Sequence, residues 1–90
     1  MVAVRENIAE FTFFRPGARC VYLVGDFNGW RPDELPLTRC EDGCWRGMMR
    51  LPKGTFNFRY LADGQWYIDY ASFGVWQGPF GPNSVVRIAG

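Results

Sequence analysis

The 90-residue sequence contains no histidine, and it has only three cysteines, Cys20, Cys40 and Cys44. Without histidine, the Ser-His and Cys-His pairs that activate many hydrolytic nucleophiles are excluded, as are most catalytic zinc sites. The segment "CEDGC" could form a hairpin disulfide or half of a metal site, but the odd count and the absence of a second ligand pair argue against both. We therefore expect three free thiols, with Cys20 as a small buried hydrophobic side chain.

Charge of one sign and long apolar runs are also missing. Lys and Arg number 10 against 9 Asp and Glu, a net charge of +1, whereas a nucleic-acid-binding domain usually shows a strongly basic face. No apolar run approaches the ~18 residues of a membrane span, and the segment "MVAVRENIAEF" lacks the apolar core of a signal peptide. The sequence therefore predicts a cytoplasmic protein with neither a nucleic-acid nor a membrane partner.

The composition that is present is typical of one globular domain. The chain is 48% hydrophobic and 18% aromatic, and its length suffices for a single core but not for two. We expect one domain over residues 1–90. Short alternating runs separated by Gly, Pro, Asn and Asp indicate an all-β sandwich or barrel. The one helical element that we expect is a half-turn at "PDEL".

The alternating runs predict where the strands lie and which faces form the core. Trp45 falls on the core face of one strand, and Phe56, Phe58 and Tyr60 fall on the core face of another. Residues 70–83, "YASFGVWQGPFGPN", are expected to form a long loop. The predicted strands are Ile8–Phe14, Arg19–Gly25, "LTR", Cys44–Leu51, Thr55–Ala62, "QWYID" and Ser84–Ile88.

The dipeptide Asp63-Gly64 predicts a two-residue hairpin turn. Such a turn places Leu61 opposite Trp66, so Trp66 shares the outer face with Arg59 and Asn57. In one interpretation Trp66 simply covers the outer face of the sheet, with Arg59 lying over it. In the other, this is a binding surface where an indole stacks on an apolar ligand face and Arg59 donates hydrogen bonds. The spacing alone leaves both open.

Several strings of the sequence resemble a known family. They are "FRPGARCVYLVGDFNGW", "LPLTR", "GTFNFRYLADGQWYID" and "GPNSVVRI", and they are similar to carbohydrate-binding module family 48 from about Phe11 to Ile88. This family includes the early-set domain of isoamylases and glycogen-branching enzymes and the glycogen-binding domain of the AMP-activated protein kinase beta subunit. The resemblance implies an immunoglobulin-like (early-set) antiparallel β-sandwich that binds α-1,4-glucans such as glycogen and starch, and we expect no cofactor.

The resemblance also implies the carbohydrate-binding residues. One tryptophan closes the F-N-x-W loop, another follows the D-G turn, a basic residue precedes that turn, and an asparagine precedes the last strand. The indoles would cradle the glucan, while the basic and amide groups would bind its hydroxyls. Asp26 and Asn28 are expected to fix the loop rather than to touch sugar. The matching residues here are Trp30, Trp66, Arg59 and Asn83.

Two features depart from the family pattern. Arg59 stands where the kinase domain has lysine, which keeps the charge and changes the hydrogen-bond geometry. The loop with Phe73, Trp76 and Phe80 is unusually aromatic. These three side chains could extend the site, pack beneath the sandwich or dock a partner, and we expect packing.

Three functions compete. The first is a non-catalytic module that binds an α-glucan polysaccharide or maltooligosaccharide. The second is an early-set domain that contacts a glucan-active enzyme or regulatory protein without binding sugar. The third is a glycosidase that uses Asp26, Asp63 and Asp69 as paired carboxylates. We disfavour the enzyme for two reasons. The hairpin turn at Asp63-Gly64 already accounts for Asp63, and the barrel that carries this chemistry in related enzymes needs ~250 residues.

Overall fold

The computed structural model describes residues 1–70, 72–79 and 81–89. Its strands occupy most of the chain, and a single 3-10 turn spans Asp26–Asn28 in the described part. None of the helical structure in these residues has the length and hydrophobicity of a transmembrane helix. The strands are β1 (Val2–Arg5), β2 (Ile8–Phe14), β3 (Val21–Gly25), β4 (Leu35–Pro36), β5 (Thr38–Arg39), β6 (Cys44–Arg50), β7 (Gly54–Ala62), β8 (Gln65–Tyr67), β9 (Val75–Gly78) and β10 (Gly81–Ile88).

The strands form two antiparallel sheets. The first sheet has the order β1-β2-β6-β5, and the second has the order β4-β3-β7-β10-β9. Strand β8 also pairs with β7, next to the residues of β7 that pair with β10. The two sheets bury their facing sides against each other, which confirms the predicted all-β sandwich.

Aromatic side chains from both sheets fill the core. Phe11 of the first sheet meets Phe58 of the second with ring centroids 5.0 Å apart in an edge-to-face arrangement, a favourable geometry for aromatic pairs. Phe13 stacks on Tyr60 at 4.6 Å. Trp45 is buried and donates a hydrogen bond from its indole nitrogen to the Arg15 carbonyl oxygen at 3.0 Å. The alternation of β6 and β7 therefore predicts the core face correctly.

The predicted strand Ile8–Phe14 is confirmed with both bounds, but the prediction that it is the first strand is wrong, because β1 precedes it. Arg5 pairs with Ile8 around a two-residue turn at Glu6 and Asn7. Glu6 has a φ of 56°, a left-handed conformation that glutamate rarely adopts. The turn therefore carries none of the Gly or Asp-Gly signals by which hairpins are recognised in a sequence.

Three other predictions also need correction. The segment 70–83 is not one loop, since Val75–Gly78 forms β9 against β10, whose first residue is Gly81. The described helical turn lies at Asp26–Asn28 rather than at "PDEL". Cys20 is exposed rather than buried, because the alternation of β3 turns Val21 inward and its neighbour outward. All three thiols are free, as expected.

Candidate functional site

The loop after β3 places Trp30 near Arg59 of β7 in the second sheet. A side chain at Gly25 would bring its Cβ to 2.6 Å from the Asn57 carbonyl oxygen and 2.9 Å from Phe58 Cβ, so only glycine fits this approach. The chain then makes its 3-10 turn, and Gly29 and Trp30 follow with φ values of 67° and 61°. The Trp30 backbone N–H donates to the Gly25 carbonyl oxygen at 3.0 Å. This hydrogen bond joins the end of the loop to the last residue of β3.

Two polar side chains hold this loop in place. Asp26 accepts a hydrogen bond from the Trp30 indole nitrogen at 2.8 Å and another from the Asn57 backbone N–H at 2.8 Å. Asn28 accepts from the Gly25 N–H at 3.1 Å and donates to the Arg31 carbonyl oxygen at 3.0 Å. These bonds confirm that Asp26 and Asn28 fix the loop. The bond to Asp26 also orients the half-buried ring of Trp30 through its indole nitrogen.

Trp66 lies on the outer face of the second sheet, where the hairpin register places it. Tyr60 pairs with Tyr67, Leu61 with Trp66, and Ala62 with Gln65, as the two-residue turn predicts. The pairing ends there, because β8 ends at Tyr67. The Trp66 side chain is 48% exposed, so it is available to a ligand.

Arg59 occupies the point where β7 changes partners. Phe58 pairs with Ser84 of β10, and Tyr60 pairs with Tyr67 of β8. The Arg59 Nε donates to the Asn83 side-chain oxygen at 2.7 Å and to the Pro82 carbonyl oxygen at 3.1 Å. These contacts tie its side chain to the start of β10.

The structure brings the predicted site residues together around Arg59. Its guanidinium carbon lies 5.9 Å from the centroid of the Trp30 ring, within the range of a cation–π contact. Asn83 is only 9% exposed, and its oxygen accepts from Arg59. In this structure Asn83 therefore positions Arg59, a role that the sequence analysis did not foresee.

An open groove of about 330 Å³ runs beside Arg59 and Trp66. Its other lining residues include Tyr70 and Pro82, which the sequence analysis did not assign to a site. Tyr70 is strongly exposed, and its position at the start of an aromatic segment is the only signal that the sequence offered. A groove with exposed aromatic walls and one cation suits a ligand that has both apolar and hydroxyl-bearing faces.

The aromatic side chains of the segment 70–83 do not all behave as expected. Phe73 and Trp76 are 43% and 48% exposed, so the expectation that they pack beneath the sandwich is wrong for both. The reason for Trp76 is its register, which places it opposite Asn83 on the outer face of the second sheet. Phe80 lies outside the described residues.

The three carboxylates considered for catalysis each take part in the folded structure. Asp26 holds Trp30, as described above. Asp63 accepts hydrogen bonds from the backbone N–H groups of Cys20 and Arg19 at 3.0 and 2.9 Å, and these bonds hold the pKa of its carboxyl below the usual value. Buried Asp69 accepts from the Tyr60 hydroxyl at 2.9 Å. Burial, together with this carboxylate, raises the pKa of the Tyr60 phenol.

The bonds to Asp63 predict a pH-dependent stability. Because the folded-state pKa of this carboxyl lies below the ordinary value of 3.8, its charge stabilises the fold above that value, and the contribution is lost as the pH falls through the folded-state pKa. Asp63→Asn keeps an accepting oxygen and tolerates the φ of 49°. We expect the melting-temperature difference between wild type and Asp63→Asn to shrink from about pH 5 to about pH 2.

The measurement is thermal unfolding followed by circular dichroism across this pH range. Asp33→Asn, at an exposed aspartate in the loop between β3 and β4, is the matched control. A difference between wild type and Asp63→Asn that stays constant with pH would show that the carboxylate charge contributes nothing to stability.

Comparison with known proteins identifies the family. A family model described as the glycogen recognition site of AMP-activated protein kinase matches residues 9–75. The 5'-AMP-activated protein kinase subunit beta-1 of Sus scrofa is 42% identical over 63 residues, which cover 68% of this chain and 49% of that protein. The human subunit is 40% identical over 63 residues, which cover 68% of this chain and 22% of that protein.

A second group of relatives is enzymes. The 1,4-alpha-glucan branching enzyme GlgB of Salinibacter ruber is 36% identical over 59 residues, which cover 63% of this chain and 10% of the enzyme. The chain thus spans half or less of the length of the curated relatives it matches. The family match includes Trp30, Arg59 and Trp66 and ends before Asn83. Since it covers most of the sequence, the chain belongs to the family of the glycogen recognition site of AMP-activated protein kinase.

Proposed function

We propose that this domain binds linear α-1,4-glucans, such as glycogen, starch or a maltooligosaccharide, on the outer face of its second sheet and without catalysis. The observation that carries the proposal is the position of Arg59. Its guanidinium lies over the Trp30 ring, and its side chain lines one groove with the exposed Trp66. The family resemblance predicts two indoles that cradle the glucan beside a basic residue that binds its hydroxyls, and the position of Arg59 near both tryptophans supports that arrangement.

The chemistry of the two partners is complementary. A glucose ring presents an apolar C–H face and a rim of hydroxyls. The C–H face stacks on an indole, and the hydroxyls interact with the guanidinium, which is a planar hydrogen-bond donor. Asn83 contributes by holding Arg59 in place at 2.7 Å. Asp26, Asp63 and Asp69 are used within the fold, which supports a binding module rather than a glycosidase.

The binding should be weak. Aromatic stacking is worth ~1–3 kcal/mol for nucleobases, and stacking on sugars should be no stronger. Two such stacks and a few exposed hydrogen bonds, less the cost of association, correspond to a Kd of roughly micromolar to millimolar.

Calorimetry with maltoheptaose tests the proposal. We expect measurable heat and shifted indole resonances in NMR spectra, and retention on glycogen beads that maltoheptaose reverses. Cellohexaose is the control ligand, since its β-1,4 linkages give an extended chain of the same sugar. Absence of both heat and resonance shifts at millimolar maltoheptaose would refute glucan binding.

The second candidate function is docking to a glucan-active enzyme or a regulatory protein. The observation in its favour is Met48, which is exposed on the outer face of the first sheet and lines a groove with Val4 and Ile8. This face lies on the opposite sheet from Arg59, so the two functions are compatible. Docking becomes the preferred function if the wild-type domain fails to bind any α-glucan.

A further inference from the structure

We propose that Trp76 is an additional stacking subsite, so that one glucan chain extends from Trp30 and Trp66 across β10 to β9. This inference rests on the function proposed above and deepens it, because it makes the site selective for longer chains. The family match ends at residue 75, one residue before Trp76.

The strand register places Trp76 in line with the site. Asn83 of β10 pairs directly with Trp76 of β9, and paired residues of antiparallel strands share one face of the sheet. Asn83 is also bonded to Arg59 of β7 at 2.7 Å. Trp76, Asn83 and Arg59 therefore form a row across three neighbouring strands. Since adjacent strands lie about 4.8 Å apart, the row spans about 10 Å from β7 to β9.

Two glycines, Gly78 and Gly81, lie between Trp76 and Arg59 on the outer face of the second sheet. The six-membered ring of Trp76 lies over Gly78, where an added Cβ would come within 3.0 Å of Cε3 and 3.1 Å of Cη2. Gly81 pairs with Gly78, and a Cβ there would lie 3.5 Å from Arg59 Nη2. Because neither position has a side chain, these two residues leave the surface between the indole and the guanidinium open.

The exposure of Trp76 matches that of a binding residue. Its side chain is 48% exposed, the same fraction as Trp66, while the ring rests on the backbone of its own strand. An indole that is supported on one side and open on the other can stack on a sugar without rearrangement. A short oligosaccharide fills the groove near Arg59 and Trp66 alone, whereas a longer chain continues along the row and reaches Trp76.

The test compares maltotriose and maltoheptaose as ligands for wild type and Trp76→Ala, with NMR titration to follow weak binding. From the energy of one aromatic stack, we expect Trp76→Ala to weaken maltoheptaose binding by about 5- to 100-fold. Maltotriose binding should be unchanged. In the wild type, the Trp76 indole resonance should shift with maltoheptaose but not with maltotriose.

Two further variants separate stacking from damage to β9. Trp76→Phe should restore most of the maltoheptaose affinity, because it retains an aromatic ring. Val75→Ala, on the same strand with its side chain on the opposite face, should bind as wild type does. Two results would overturn the subsite while leaving glucan binding intact. In the first, Trp76→Ala binds both ligands as tightly as wild type does. In the second, Trp76→Ala loses affinity for both ligands equally and has a lower melting temperature. Wild type that binds neither ligand would overturn the proposed function as well.

Discussion

Truncation of Trp45 to alanine is expected to lower the free energy of unfolding by about 3–5 kcal/mol. The side chain is only 5% exposed and lies in the core between the sheets. Its removal leaves a cavity and also deprives the Arg15 carbonyl oxygen of its indole donor. Because a small domain has a total stability of about 5–15 kcal/mol, the loss is a large share of it. Urea unfolding at 25 °C measures the change.

Trp66→Ala is the matched control for this experiment. The same side chain is removed, but from a position that is 48% exposed, so the loss should stay within about 1 kcal/mol. If Trp66→Ala is as damaging as Trp45→Ala, Trp66 is a structural residue, and the proposed binding face is misplaced.

Trp30→Ala and Trp66→Ala are each expected to abolish detectable binding to glycogen while the domain remains folded. Loss of one stack reduces affinity by about 5- to 100-fold, which takes a ligand of micromolar to millimolar Kd to the limit of detection. Retention on glycogen beads and calorimetry with maltoheptaose measure the effect. Circular dichroism confirms that each variant is folded.

Phe14→Ala provides the control for the binding experiment. Phe14 is an exposed aromatic residue at the end of β2 in the first sheet, whereas Arg59 lies in the second sheet. Its removal should leave glycogen binding unchanged. If Trp30→Ala and Trp66→Ala both fold and bind like wild type, the glucan binds elsewhere on the molecule.

The sequence predicts those parts of the site that depend on local rules. The Asp63-Gly64 turn fixes the register of β7 and β8, and strand alternation then fixes the face on which Trp66 and Arg59 lie. These inferences need no knowledge of distant contacts. The same alternation identifies Trp45 as a core residue, and the short Asp26 and Asn28 side chains suit a loop that bonds to its own backbone.

Other parts depend on interactions that a sequence pattern does not contain. The turn before β2 uses Glu6 in a left-handed conformation. The pairing of β1 with β2 and a hydrogen bond from the Leu51 N–H to the Asn7 carbonyl oxygen at 2.8 Å hold the turn in place. Glycines at 78 and 81 make β9 look like a loop, although the two residues face each other in a strand pair. The burial of Asn83 against Arg59 results from the change of partner along β7, which is a tertiary feature.

The two hydrogen bonds accepted by Asp26 have a thermodynamic consequence for recognition. One joins the Trp30 indole and the other joins the backbone of β7, so the ring is already immobilised when the chain folds. Ordering a side chain on association costs about 0.5–1.5 kcal/mol, and for Trp30 most of this conformational entropy is lost before any sugar arrives. A preorganised ring cannot adapt to a ligand, so under the proposed function it would select glucans whose curvature already matches the spacing of the aromatic residues.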